Sequence, residues 1–199
     1  MNLFPQRLPA WALAASVLLG SAQPAHTATV SPYFEPTYLT QGTALLLNGS
    51  GTRVRAIFKV YEMALYTSQK VHSATELLNL PGPKRLQFIA LRDLSGTDLG
   101  LLFIKGLQAN SSKELVQRHA LSTTRLIEIF SGKPKLVSGD SFAMEFIPGK
   151  GTQFFIAGIA QGVPVGDAEF FNMILRIWFG PSSVDTDLRD QLLNNQPAP

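Results

Sequence analysis

The chain has 199 residues, 45% hydrophobic and 16% charged, a balance that suits one globular domain with a sizeable core. Its formal net charge of +3 comes from 17 basic and 14 acidic residues spread without a run of like charge, which excludes a nucleic-acid surface. There is no cysteine, so a disulfide framework and a lipid-modified cysteine are both excluded.

Residues 1–28 have the layout of a secretory signal. A short start containing Arg7 precedes an apolar run from Leu8 to Gly20, and a small, polar stretch from Ser21 to Ala28 offers cleavage after Ala25 or Ala28. The apolar run is shorter than the roughly 20 residues needed to cross a bilayer, so no transmembrane segment is expected once the leader is removed. The folded domain is then expected over residues 29–193, with a loose polar tail at 194–199.

Thr29 to Gln41, with its prolines and aromatics, reads as an extended lead-in. Two apolar runs, Ala44 to Leu47 and Ala56 to Tyr66, flank Asn48-Gly49-Ser50-Gly51, which predicts a hairpin turning at those glycines. By parity, Arg53, Arg55, Ile57, Lys59, Tyr61, Met63 and Leu65 share one face of the long second strand, opposite Phe58, Val60, Glu62, Ala64 and Tyr66. Ser73 and Glu76 cap a short helix that Pro81-Gly82-Pro83 stops, and Arg85 to Leu91 is a strand. Asp93 to Asn110 is helical by period, with Leu99, Leu102, Phe103, Gly106 and Leu107 on one stripe. Gly106 on that stripe predicts the close approach of another element or of a ligand. Ser111 and Glu114 form a capping box for one further helix that ends at Gly132 and Pro134, with His119 on its inward face. Two strands, Phe142 to Ile147 and Thr152 to Ala157, join at Pro148-Gly149-Lys150-Gly151. Gly166-Asp167 opens a helix on Phe170, Phe171, Ile174, Leu175 and Trp178, and a last helix runs from Asp185 to about Leu193. Strands, helices, strands and helices in that order predict an α+β fold with an antiparallel sheet and helices on one face.

Little in the chain supports common catalytic chemistry. His72 and His119 lie far apart with no cysteine to help, so no metal site is expected, and nothing calls for a cofactor. There is no G-x-S-x-G nucleophile elbow, and Gly149-Lys150-Gly151-Thr152 lacks the spacing of a phosphate loop and reads as a turn. What remains is the mixed face of the long strand. There Arg53, Lys59 and Tyr61 could hold a carboxylate or an enolate-like oxygen inside an apolar pocket, while Arg55 is expected to flank the turn in solvent.

Several blocks then carry a resemblance in order: LNGSGTRVRAIFKVYEMALY, PKRLQFIALRDLSG, FIKGLQAN, GDSFAMEFIPGKGTQFFIAG and FFNMILRIWFGPSSVDTDLRDQLL. Together, over about Thr43 to Leu193, they resemble the chalcone isomerase family, most of all its bacterial, exported, chalcone isomerase-like branch. The resemblance implies an open-faced β-sandwich, a large antiparallel sheet packed against a layer of helices, and a periplasmic location. It implies a cleft between sheet and helices in which the plant enzymes use an arginine, a threonine, and a tyrosine and lysine on the first large helix. Gly49, Gly51 and Arg53 match the arginine motif. Tyr61 stands at the threonine position, Phe103 and Gly106 at the tyrosine and lysine positions in an alignment on Asn110, and Ile177 and Trp178 at a Thr-Met pair. With one arginine kept and its catalytic partners replaced, the resemblance implies a non-catalytic protein that holds a small hydrophobic or amphiphilic ligand such as a fatty acid. Expected ligand contacts are Arg53, Tyr61, Met63, Leu99, Phe103, Gly106, Asn110, Ile177 and Trp178. An isomerase or lyase of an unknown enone, using Arg53 and Tyr61, is the alternative. A structural or partner-binding module with a collapsed cleft is another.

Overall fold

The structure is a computed structural model that describes residues 32–195. The expected signal segment, the start of the lead-in and the last four residues of the tail lie outside the described residues. Strands β1 (Thr37–Thr40), β2 (Thr43–Arg55), β3 (Phe58–Thr67), β4 (Lys84–Ala90), β7 (Ser141–Ile147), β8 (Gly151–Ile156) and β9 (Ile159–Ala160) form one sheet in the order β1-β2-β3-β4-β7-β8-β9. Every neighbouring pair is antiparallel. Two short strands, β5 (Leu94–Ser95) and β6 (Lys135–Leu136), pair apart from it. The helices are α1 (Ala74–Asn79), α2 (Gly96–Ala109), α3 (Lys113–Arg118), α4 (Ala120–Ser131), α5 (Ala168–Phe179) and α6 (Thr186–Leu192). The α+β expectation holds, with α2 to α4 inserted between the fourth and fifth strands of the sheet. Among the described residues no helix is long and apolar enough to cross a membrane.

Alternation along the strands separates two interiors. Tyr61, Met63 and Leu65 on β3 and Leu86 and Phe88 on β4 face the helices and join the main core, whereas Ala64 and Tyr66 pack with Phe34 and Leu45 on the other face. The sheet curls over that second face: Thr40 on β1 hydrogen-bonds Glu145 on β7, four strands along the ladder. Helix α5 is apolar nearly all round and lies buried from Phe170 to Phe179 apart from Asn172 and Arg176. Asp167 starts it by accepting from the Phe170 N–H at 2.9 Å, and it ends at Gly180.

The predicted hairpin at Asn48 to Gly51 is not a turn. β2 runs straight through it, and the chain reverses one turn later at Ala56-Ile57, with Arg55 paired to Phe58 and Ala56 at φ 55°. The glycines serve a different purpose: α6 lies against β2 there, and a Cβ on Gly49 would collide with the carbonyl oxygens of Gln191 and Leu192. Asn48 is the extra residue of a β-bulge between Leu47 and Gly49, so its side chain leaves the pleat. Its Nδ2 donates to the carbonyls of Val71 (2.9 Å) and Leu192 (2.8 Å), and its Oδ1 accepts from the Val71 N–H (2.8 Å).

A second bulge, at Val60, corrects the predicted face of the strand. Arg53 pairs with Tyr61 and Val54 with Lys59, which leaves Val60 unmatched. The parity slips there by one, so Phe58 joins the face of Tyr61, and Lys59 is turned out to solvent. The single helix predicted after Asn110 is two. It is capped by Ser112, not Ser111, through the Leu115 N–H at 3.2 Å, and it breaks at His119. His119 is buried as expected, with Nε2 2.9 Å from Glu169 Oε2.

Candidate functional site

Between the sheet and the helices lies a cavity of about 780 Å³, inside the range of about 300–1,000 Å³ usual for small-molecule sites. Tyr61 on β3, Phe88 on β4 and Phe142 on β7 form its sheet side. Leu99, Leu102 and Phe103 on α2 and Ile177 and Trp178 on α5 form its helix side. The aromatic rings brace one another: Phe88 stacks on Phe142 at 4.3 Å between centroids and meets Tyr61 edge-on at 5.4 Å and Trp178 at 5.3 Å. Rings fixed in this way keep the space open without loops to hold it. The mouth is framed by Arg55, Phe58, Arg92 and Val184, and all four are exposed.

Polar groups line the cavity in more than one place: Asp93, Ser95 and Asp98 lie where β5 leads into α2, and Arg53, Tyr61 and Trp178 form a corner of their own. Trp178 Nε1–H donates to Tyr61 Oη at 2.9 Å. Burial pushes the Tyr61 hydroxyl up to about 12, against the opposing pull of the Trp178 bond and of Arg53, so it remains protonated and can itself donate. Arg53 stands beside it across the β2–β3 ladder. Its Nη1 lies 2.8 Å from Asp185 Oδ2 and 2.7 Å from the Val54 carbonyl. Asp185 does two jobs: Oδ1 caps α6 through the Leu188 N–H at 3.0 Å, and Oδ2 holds the arginine. The Arg53 charge is thus already matched. At the mouth, Arg55 and Arg92 form no ion pair among the described residues, and the Arg92 guanidinium sits 5.2 Å from the Phe58 ring centroid. Asp93, also at the mouth, is committed to Lys135 at 2.7 Å, which holds its carboxyl below the usual range.

Of the expected ligand contacts, Arg53, Tyr61, Leu99, Phe103, Ile177 and Trp178 line this one cavity. Met63, Gly106 and Asn110 do not. Met63 points into the solid core below. Asn110 fastens the end of α2 to the loop after α5, donating to the Gly106 and Ser182 carbonyls and accepting from the Ser182 N–H at 2.9 Å. Gly106 admits a neighbouring helix, not a ligand: a methyl placed there would sit 2.8 Å from Cγ2 of Ile177. Gly106→Ala is accordingly expected to destabilise by about 1 kcal/mol, the overpacking outweighing the better helix propensity, and urea unfolding would show it. A gain in stability would mean that Ile177 yields freely.

Lys59 faces solvent and takes no part. Arg55 is exposed as expected, but it flanks the turn at Ala56-Ile57 and not the predicted one, and it also reaches the rim. Phe58, Phe88, Arg92, Leu102, Phe142 and Val184 are contributions that the sequence reading missed. Phe88 and Phe142 could have been found from strand parity. The Val60 bulge that carries Phe58 inward has no signature in the residues around it.

Comparison with known proteins reaches the same architecture. A family model described as chalcone isomerase-like matches residues 28–194. The chain belongs to the chalcone isomerase-like family. Among solved structures, this family member is similar to the Arabidopsis thaliana fatty-acid binding protein AtFAP1, with a TM-score of 0.58 and 14% identity, covering 80% of this chain and 96% of that one. At that identity the likeness shows the fold. A search of curated proteins gave no match.

Proposed function

We propose that this chalcone isomerase-like protein is a non-catalytic carrier of an amphiphile with an anionic head, such as a fatty acid, acting outside the cytoplasm after its leader is removed. One observation carries this reading: a mostly apolar cavity has the Tyr61 hydroxyl, oriented by Trp178, beside Arg53 in one corner, and Arg55 and Arg92, which form no ion pair among the described residues, at its mouth. An alkyl chain is accommodated by Leu99, Phe103, Phe142 and Ile177 with no polar group to desolvate. A carboxylate can accept a hydrogen bond from the Tyr61 hydroxyl in the field of Arg53, or sit at the mouth against Arg55 and Arg92. The fatty-acid binding protein that shares the fold supports the choice of ligand class. The leader pattern in residues 1–28 supports export.

Catalysis of the family's ring closure is disfavoured on the same residues. Phe103 supplies no hydroxyl, Gly106 no amine, and Lys105 lies exposed on another face of α2. Losing a preorganised donor typically costs about 3–4 kcal/mol of barrier. A second reading, an isomerase acting through Tyr61, is favoured only by the hydroxyl that Trp178 orients.

Solvent extraction of the purified protein followed by mass spectrometry should release an acidic lipid, or the protein should take up added fatty acid. Failure of both would remove the proposal. Tyr61→Phe separates the two readings. For a carrier it weakens an acid lodged in the corner by about ten- to a hundredfold and leaves a panel of chalcone-type enones unturned in both proteins. Turnover by the unchanged protein that disappears in the variant would establish the isomerase instead.

A further inference from the structure

The tip of the β2–β3 hairpin is built against the ordinary rule for a protein surface. Ile57 is 85% exposed, Phe58 55% and Val54 42%, three large apolar side chains within five residues at the end of a narrow ribbon. Apart from the Arg92 guanidinium beside Phe58, no described contact covers them, and adjoining exposed apolar side chains of this size mark an interaction site. The charge next to them is mainly basic: Arg55 and Lys59 flank the turn and Arg92 lies 5.2 Å from the Phe58 ring, while Arg53 is matched by Asp185 and the nearest acids at the mouth, Asp93 and Asp98, lie on the far side by α2. Arg55, Lys59 and Arg92 are exposed and form no ion pair among the described residues, and Arg92 feels only the more distant charge of its neighbour Asp93, itself paired with Lys135. The apolar tip also adjoins the cavity mouth, where Phe58 is joined by Leu102 (53% exposed) on α2 and by Val184.

We propose that this hairpin tip is a membrane-docking surface that seats the cavity mouth on an anionic lipid bilayer. Ile57 and Phe58 enter the apolar boundary of the leaflet, and Arg55, Lys59 and Arg92 lie at headgroup level against the phosphates. A protein partner would have to match a lone pair of apolar residues inside a cationic ring on a thin ribbon. A lipid surface supplies both features over any area. Docked in this way, the mouth faces the leaflet, so an amphiphile passes between bilayer and cavity without exposing its chain to water. The inference goes beyond ligand binding and does not require it.

The absence of cysteine makes a site-specific test possible. Ile57→Cys, carrying a polarity-sensitive fluorophore, reads insertion at the tip itself, whatever the leader does. Val163→Cys, which is 76% exposed on the loop after β9, reports on the far edge of the sheet. With vesicles of phosphatidylglycerol and phosphatidylcholine, the label at 57 should shift to the blue and become accessible to a bilayer-embedded quencher, while the label at 163 stays in water. Phosphatidylcholine alone should give a much smaller response. Lys59→Glu, outside the cavity, should weaken the response about tenfold. No response at 57, an equal response at 57 and 163, or equal responses to charged and neutral vesicles would overturn the proposal. So would shielding of the label at 57 by rising protein concentration without vesicles, which would assign the tip to a second copy of the chain. Fatty-acid binding by Lys59→Glu without vesicles is measured separately, so failure of docking and failure of ligand binding are told apart.

Discussion

Glu145→Ala is expected to cost about 3–5 kcal/mol of stability, enough to bring a domain of this size close to unfolding at ambient temperature. Glu145 and Arg85 face each other across the β4–β7 ladder on the face away from the helices, with Nη1 to Oε2 at 2.6 Å and side chains only 6% and 4% exposed for Arg85 and Glu145. The guanidinium is flanked by Tyr38 at 4.0 Å and Phe155 at 4.9 Å, its Nε donates to Gln87 at 3.1 Å, and Thr40 supplies a further bond to the carboxylate. Taking away the acid leaves a buried cation whose neighbours include no second carboxylate bonded to it. The curl of the sheet, which brings β1 over to β7, loses its central contact at the same time. Replacing both members with apolar residues, as in Arg85→Met with Glu145→Met, is expected to be nearly neutral, because neither charge is then left buried. Urea denaturation of the two single variants and the double variant would decide it. Singles as mild as the double would mean that water reaches the pair.

Asn48→Ala is the second change with a large expected effect, about 3 kcal/mol. The amide is buried, and removing it strands two carbonyls and one N–H, those of Val71 and Leu192, in a place where α6 and the strand lie too close for easy hydration. The consequence reaches the cavity. α6 begins at Asp185, and Asp185 holds Arg53, so a loosened α6 releases the arginine from its position beside Tyr61. Asn48→Ala should therefore lower both the unfolding midpoint and the affinity for an anionic ligand. Asn48→Asp, which keeps the acceptor for Val71 N–H and loses both donated bonds, should be destabilised to a similar degree. An unchanged midpoint in both variants would show that α6 does not depend on this amide.

The succession of strand and helix blocks, the caps at Ser73 and Asp167 and the apolar face of α5 could be read from the sequence, because each rests on a local pattern of polar caps and apolar spacing. Gly49 and Gly51 were misread for a physical reason: a glycine needed for a turn and a glycine needed to let a helix backbone approach look the same in a sequence, and only the position of α6 tells them apart. The real turn at Ala56-Ile57 carries no turn residue at all. At the site, Tyr61, Phe103 and Trp178 could be located because each lies on an inward face or stripe, whereas Ile177 entered only through the family resemblance. The pairing of Arg53 with Asp185, 132 residues apart, and the arrival of Arg92 at the mouth depend on how the layers stack, which no local pattern encodes.

Calorimetric titration of the purified protein with a long-chain fatty acid and with its methyl ester bears most directly on the proposed carrier role. Both have the same chain to bury, and only the acid offers a charge to Tyr61 and the arginines. Saturable one-to-one binding of the acid, with the ester weaker by about tenfold or more, is the expected result. Absence of saturable binding for either compound would contradict it.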